Sequence, residues 1–73
     1  MTRETTRLEV VGQGAKWEVR ERGIGRLTSH ADKAAATVAA RAVAVQHTPA
    51  ELIIRNDDGS IASEENFPRI NRG

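Results

Sequence analysis

The chain has 73 residues, 29% of them charged, and a formal net charge of +1. It has no cysteine, which excludes a disulfide staple and a thiolate metal site, and near-neutrality gives no bulk attraction to nucleic acid or to a membrane surface. No apolar run approaches the roughly 20 residues that span a bilayer, and the opening MTRETTRLEV lacks the apolar segment of a signal peptide.

These features read as one soluble, cytoplasmic domain over residues 1–73. A chain of this length buries only about 60% of its unfolded surface, so association is one route by which it completes its stability.

Residues 1–6 are polar and aperiodic and read as a flexible tail ahead of a folded core over 7–63. From Arg7 the alternation becomes strand-like, with Leu8 and Val10 on one face and Glu9 and Val11 on the other. Gly12-Gln13-Gly14-Ala15 is a glycine-bearing connection of hairpin length. Lys16 to Arg22 then alternates cleanly, placing Trp17 and Val19 inward and Glu18, Arg20 and Arg22 outward. Gly23-Ile24-Gly25 makes a second turn, and Arg26-Leu27-Thr28 forms a short third strand.

The alanine-rich run from Ala31 to Gln46 reads as the one helix. Alanine has the highest helix propensity, and neither Gly nor Pro interrupts Lys33 to Gln46. Either Asp32 caps the start directly, or Ser29 caps it and Asp32 completes a capping-box-like pair. Pro49 ends the helix, because the residue before a proline is driven out of helical geometry. The wheel places Ala35, Val38, Ala39, Ala42 and Val43 on the buried side, with Lys33, Thr37, Arg41 and Ala44 opposite.

Beyond the helix, Glu51-Leu52-Ile53-Ile54-Arg55 is an apolar run of strand length. Asn56-Asp57-Asp58-Gly59 carries strong turn chemistry, and Ser60-Ile61-Ala62-Ser63 returns as a last strand. Residues 64–73 read as a polar tail that docks one aromatic, Phe67. The order β-β-(β)-α-β-β predicts an α+β, two-layer fold with one helix on a small, mostly antiparallel sheet. The expected core is Leu8, Val10, Trp17, Val19, Leu27, Val38, Ala39, Ala42, Val43, Leu52, Ile54 and Ile61.

These landmarks carry a family resemblance: Trp17-x-Val19 after an N-terminal strand, the capped helix with Ala36 and Ala40-Arg41, then Glu51-Leu52-Ile53-Ile54 and Asp58-Gly59-Ser60-Ile61. The sequence resembles the small bacterial domain-of-unknown-function family number 2188 from about Leu8 to Pro68. That family usually has a Thr cap where Asp32 stands, and it closes on a Thr-Tyr-Gly-like tripeptide where Asn66-Phe67-Pro68 stands. The resemblance implies a fold and no established general activity.

Few residues suggest chemistry. Gly12-x-Gly14 precedes a strand, whereas a phosphate loop needs a helix N-terminus there. His30 and His47 flank the helix about 25 Å apart at 1.5 Å per residue, too far to share a metal within one copy. Ser29-His30-Asp32 has the letters of a triad but is accounted for by helix capping. Trp17 reads as a core anchor. No catalytic residue, cofactor or metal is therefore expected.

The arginines Arg20, Arg22 and Arg26, with Arg55 on a neighbouring strand, form a candidate basic stripe on the open sheet face, read first as a solvated face and then as a contact for a protein partner or for nucleic acid. Glu18 and Glu21 interrupt it, and no outward aromatic offers base stacking. The leading expectation is a non-enzymatic interaction module that forms a homodimer through a sheet edge, the helix surface or an exposed Ile53. Nucleic-acid binding through Arg20, Arg22, Arg26 and Arg55 is the alternative.

Overall fold

The computed structural model describes residues 5–69; readings that concern 1–4 and 70–73 lie outside them. Five strands, β1 (Thr6–Gln13), β2 (Lys16–Glu21), β3 (Gly25–His30), β4 (Ala50–Arg55) and β5 (Ile61–Phe67), form a single sheet in the order β3-β2-β1-β4-β5. One helix, α1 (Lys33–Gln46), lies between β3 and β4 in sequence. Three pairings are antiparallel, and the central pair β1–β4 is parallel. The fold is α+β in two layers.

The β1–β2 hairpin closes on Gln13 opposite Lys16, leaving Gly14 and Ala15 as a two-residue loop. Gly14 has φ 64°, and among the described residues no non-glycine has positive φ. Glycine at the first central position alone is the requirement of a type II′ turn, whose twist matches that of the strands. Gly14 therefore makes the turn, while Gly12 and Gln13, read as part of the connection, are the last paired residues of β1.

At the helix start, the Asp32 carboxylate accepts a hydrogen bond from the Ala35 backbone N–H at 2.8 Å. Ser29 lies within β3, so of the two capping schemes the structure adopts the direct one. At the other end the His47 N–H donates to the Ala44 carbonyl. Pro49 follows, and its carbonyl accepts from Thr6 N–H at 3.0 Å, tying the start of β1 to β4.

The core is Leu8 and Val10 of β1, Val19 of β2, Ala36, Ala40 and Ala44 of α1, and Ala50, Leu52 and Ile54 of β4. Trp17, Leu27, Ala39, Val43 and Phe67 pack around it, half-buried. The Trp17 ring covers Gly12, its cross-strand partner, at 3.5 Å from where a Cβ would stand. Lys33 Nζ sits 5.6 Å from the centre of the same ring, within cation–π range.

Several expected positions are corrected. The helix is rotated from the predicted wheel: Ala36, Ala40 and Ala44 are fully buried, whereas Val38 is 67% exposed and Ala35 and Ala42 also face outward. The buried row rises in steps of four, so each side chain stacks over the last, and alanine at every step lets the helix sit close on the sheet. A valine row would hold it farther off.

Ile61 is 48% exposed, not core. In the β4–β5 pairing Ile54 faces Ser63 but Arg55 faces Ile61, so Ala62 is an extra residue that shifts the register. A bulge of this kind re-aims the residues beyond it, and Ile61 shares the side of Arg55 instead of Ile54. Strand β5 also continues to Phe67, past the predicted boundary at Ser63. Glu64, Glu65 and Asn66 pair with Ile53, Leu52 and Glu51, and Phe67 anchors the end on the core.

Candidate functional site

Two surfaces are candidates: the open sheet face and the outward face of α1. Residues alternate across a strand, so burying Leu8, Val10, Val19, Leu52 and Ile54 under the helix turns Arg7, Glu9, Glu18, Arg20, Glu51, Ile53 and Arg55 to the open side. Three of the four predicted arginines meet there.

Arg20 and Arg26 are cross-strand partners on β2 and β3, a like-charge apposition that is unfavourable alone. Glu18 resolves it. Its carboxylate accepts from Arg20 Nε at 3.0 Å and from Arg26 Nη1 at 3.4 Å, and the residue is only 6% exposed. The hydrogen bond from Arg20 holds the Glu18 carboxyl below its ordinary 4.5; burial opposes this, and Arg26 adds to the lowering.

Arg55 reaches Glu9 at 3.4 Å and the Gly59 carbonyl at 2.9 Å. Arg7 stands 3.7 Å from Glu51, its neighbour in the parallel register. Arg22 does not join this array. It lies in the turn after β2, where its N–H donates to the Arg7 carbonyl and its side chain lines a shallow cleft with Arg7 and Glu21. The predicted stripe is thus a set of guanidiniums bound to carboxylates of the same face. A surface of this kind offers phosphates little free positive charge.

The two histidines stand on either side of α1 in the chain, one on β3 and one at the helix C-cap. His30 Nε2 lies 2.9 Å from Thr28 Oγ1 on the same strand, and His47 is the C-cap of α1. Among the described residues no three His, Asp or Glu side chains gather as a metal set. No helix among them is long and apolar enough to cross a membrane.

The second surface was not legible as an outward face. Ala34, Ala35, Val38, Ala42 and Val45 are all exposed on α1, with Val38 at 67% and Val45 at 55%. Beside them a shallow groove runs between α1 and β5, lined by Thr37, Val38 and Arg41 on one side and Ala62 and Ser63 on the other. The helix packs over β1 to β4, and β5 extends the sheet past it. Arg41 bridges the gap: its Nε donates to Glu65 Oε1 at 3.0 Å and its Nη2 to Glu65 Oε2. This two-pronged bond holds the Glu65 carboxyl below its ordinary 4.5 and raises Arg41. The sequence signal for the face was the seven-residue spacing of Val38 and Val45, with Ala35 and Ala42 at matching intervals.

The architecture and these surfaces define a small two-layer α+β domain whose sheet face is neutralised internally and whose helix presents an apolar outer side. The family model described as an uncharacterized protein conserved in bacteria (DUF2188) matches residues 8–67, and the chain belongs to that family. No curated protein and no solved structure matches it.

Proposed function

We propose that this protein is a non-enzymatic interaction module that self-associates, with the outer face of α1 as its contact surface. The observation that carries the proposal is the exposure of Val38 and Val45 on a helix whose fully buried residues are all alanine. A short domain gains most from burying larger apolar groups, yet here two of the helix's three valines stand outside while alanines fill its fully buried row. Covering the valines in a partner recovers that burial.

The charge pattern favours this reading over nucleic-acid binding. Arg20, Arg26 and Arg55 each already hold a carboxylate of their own chain. Phosphate contact there requires those bonds to be broken, and counterion release would yield little.

Sedimentation velocity across a hundredfold range of protein concentration is the test. A sedimentation coefficient that rises toward that of a dimer supports the module, and a constant monomer value refutes it. In parallel, fluorescence anisotropy with short DNA and RNA duplexes and single strands at two salt concentrations is expected to give no tight, salt-sensitive binding. Tight binding lost in Arg20→Ala/Arg22→Ala would reverse the preference.

A further inference from the structure

Resting on the self-association reading, we infer that the occupant of the α1 outer face is the α1 of a second copy, packed antiparallel about a two-fold axis. The exposed residues Ala35, Val38, Ala42 and Val45 follow a three-four-three spacing, the seam along which two helices pack knobs into holes. The seam is complementary to its own reverse. With the axis passing level with residue 40, Ala35 faces Val45 of the second copy, and Val38 faces its Ala42. Every layer then sets a large side chain against a small one, the arrangement by which facing layers interdigitate. A parallel alignment in register would set valine on valine and alanine on alanine.

The flanking residues fit the same geometry. With this axis Arg41 comes level with Ala39 of the second copy and Gln46 with its Ala34, and the two Arg41 side chains lie on one flank about 3 Å apart in height; the charge of each is offset by Glu65 of its own chain. The antiparallel arrangement also brings the Asp32 end of one helix beside the His47 end of the other, which opposes the two macrodipoles favourably.

The alternative routes to a dimer are blunted. Both edge strands carry a bulge, at Leu27 in β3 and at Ala62 in β5, where the pairing registers jump; bulged edges resist pairing with further strands. Pairing β5 with a second β5 about its midpoint would also set Glu64 against Glu64. Ile53 on the open face lies beside Glu9 and Glu64, among charges. Four short side chains per copy bury on the order of several hundred Å², below the roughly 1,200 Å² at which stable interfaces begin. The dimer is accordingly weak and forms at roughly 100 µM protein and above.

Because the chain has no cysteine of its own, single introduced cysteines report the alignment. Val38→Cys and Ala42→Cys are oxidised with glutathione disulfide at high concentration, separately and as an equal mixture. The expected result is a mixed 38–42 disulfide in the mixture at several times the yield of either protein alone. Equal or better cross-linking of Val38→Cys with itself overturns the antiparallel alignment.

Val38→Glu, at an exposed helix position, is expected to keep the circular-dichroism spectrum and melting curve of the dilute protein while weakening association at least tenfold. A dimer untouched by Val38→Glu removes α1 from the interface yet leaves self-association standing. A wild-type monomer at every concentration removes both.

Discussion

The rotation of α1 can be tested by making one chemical change at two positions two residues apart. Ala40 is fully buried and Ala42 exposed, although the sequence pattern places Ala42 inward. Leucine is close to alanine in helix propensity, so Ala40→Leu and Ala42→Leu differ almost only in what the three added carbons meet. At 40 they are driven into the buried layer between the helix and the sheet, and overpacking of this kind costs about 1–3 kcal/mol. At 42 they extend into solvent, with an effect within about 0.5 kcal/mol.

A domain of 73 residues has a total stability of about 4–11 kcal/mol. Each kcal/mol moves the midpoint of a domain this size by about 4–8 °C. Ala40→Leu should therefore melt about 5–20 °C below wild type, and Ala42→Leu within a few degrees of it. Thermal unfolding followed by circular dichroism at low micromolar protein, where the helix face is not covered by a second copy, is the assay. Equal losses at the two positions, or the larger loss at 42, would show that the helix buries its other side.

Three further outcomes are expected. Asp32→Ala removes the acceptor for Ala35 N–H and should lower stability by about 1 kcal/mol, read from urea denaturation, whereas Ser29→Ala should not. Trp17→Ala uncovers Gly12 and the core edge; it should cost about 2–3 kcal/mol, below the range for a fully buried Trp because the ring is half-exposed.

Stability should fall in acid. Glu18, Asp58 and Glu65 have folded-state pKa values below their ordinary 4.5, 3.8 and 4.5, so their contribution is fully present above those values and is lost as pH drops through the lower, folded ones. Glu65→Gln should flatten the Glu65 part of that decline below about pH 4.5, a surface-pair effect of about 0–1 kcal/mol. An unchanged acid limb in Glu65→Gln would mean that the Arg41 bond does not persist in solution.

The strands were legible because their signals are local. Lys16 to Arg20 alternates polar and apolar, Asn56 to Gly59 is turn chemistry, and Asp32 stands where a cap is needed. The helix existed in the sequence, but its orientation did not. Alanine occupies so many of its positions that the period carries no phase, and of the valines, which break the tie on hydropathy, Val38 and Val45 point to the solvent side and only Val43 packs against the core. Closeness of approach to the sheet decided the matter, and that is a property of two layers together.

Ile61 was misplaced for a related reason. Alternation across a strand is reliable only until a bulge, and nothing local announces the one at Ala62. The arginines were placed on one face correctly in Arg20, Arg26 and Arg55. That Glu18 and Glu9 meet them follows from which strands are neighbours, and the parallel β1–β4 pair joins segments 46 residues apart at Glu9 and Arg55.

That parallel pair has a bearing on how the chain is made. During synthesis β1, β2, β3 and α1 all leave the ribosome before β4, so the strand at the middle of the finished sheet spends that interval as a bare edge. Its free side, through Leu8 and Val10, is the one that Leu52 and Ile54 later occupy. Unpaired apolar edges are where nascent chains stick to one another. The helix can shield the face of the early three-stranded sheet but not this edge, so fragments ending between Gln46 and Ala50 should be the aggregation-prone ones.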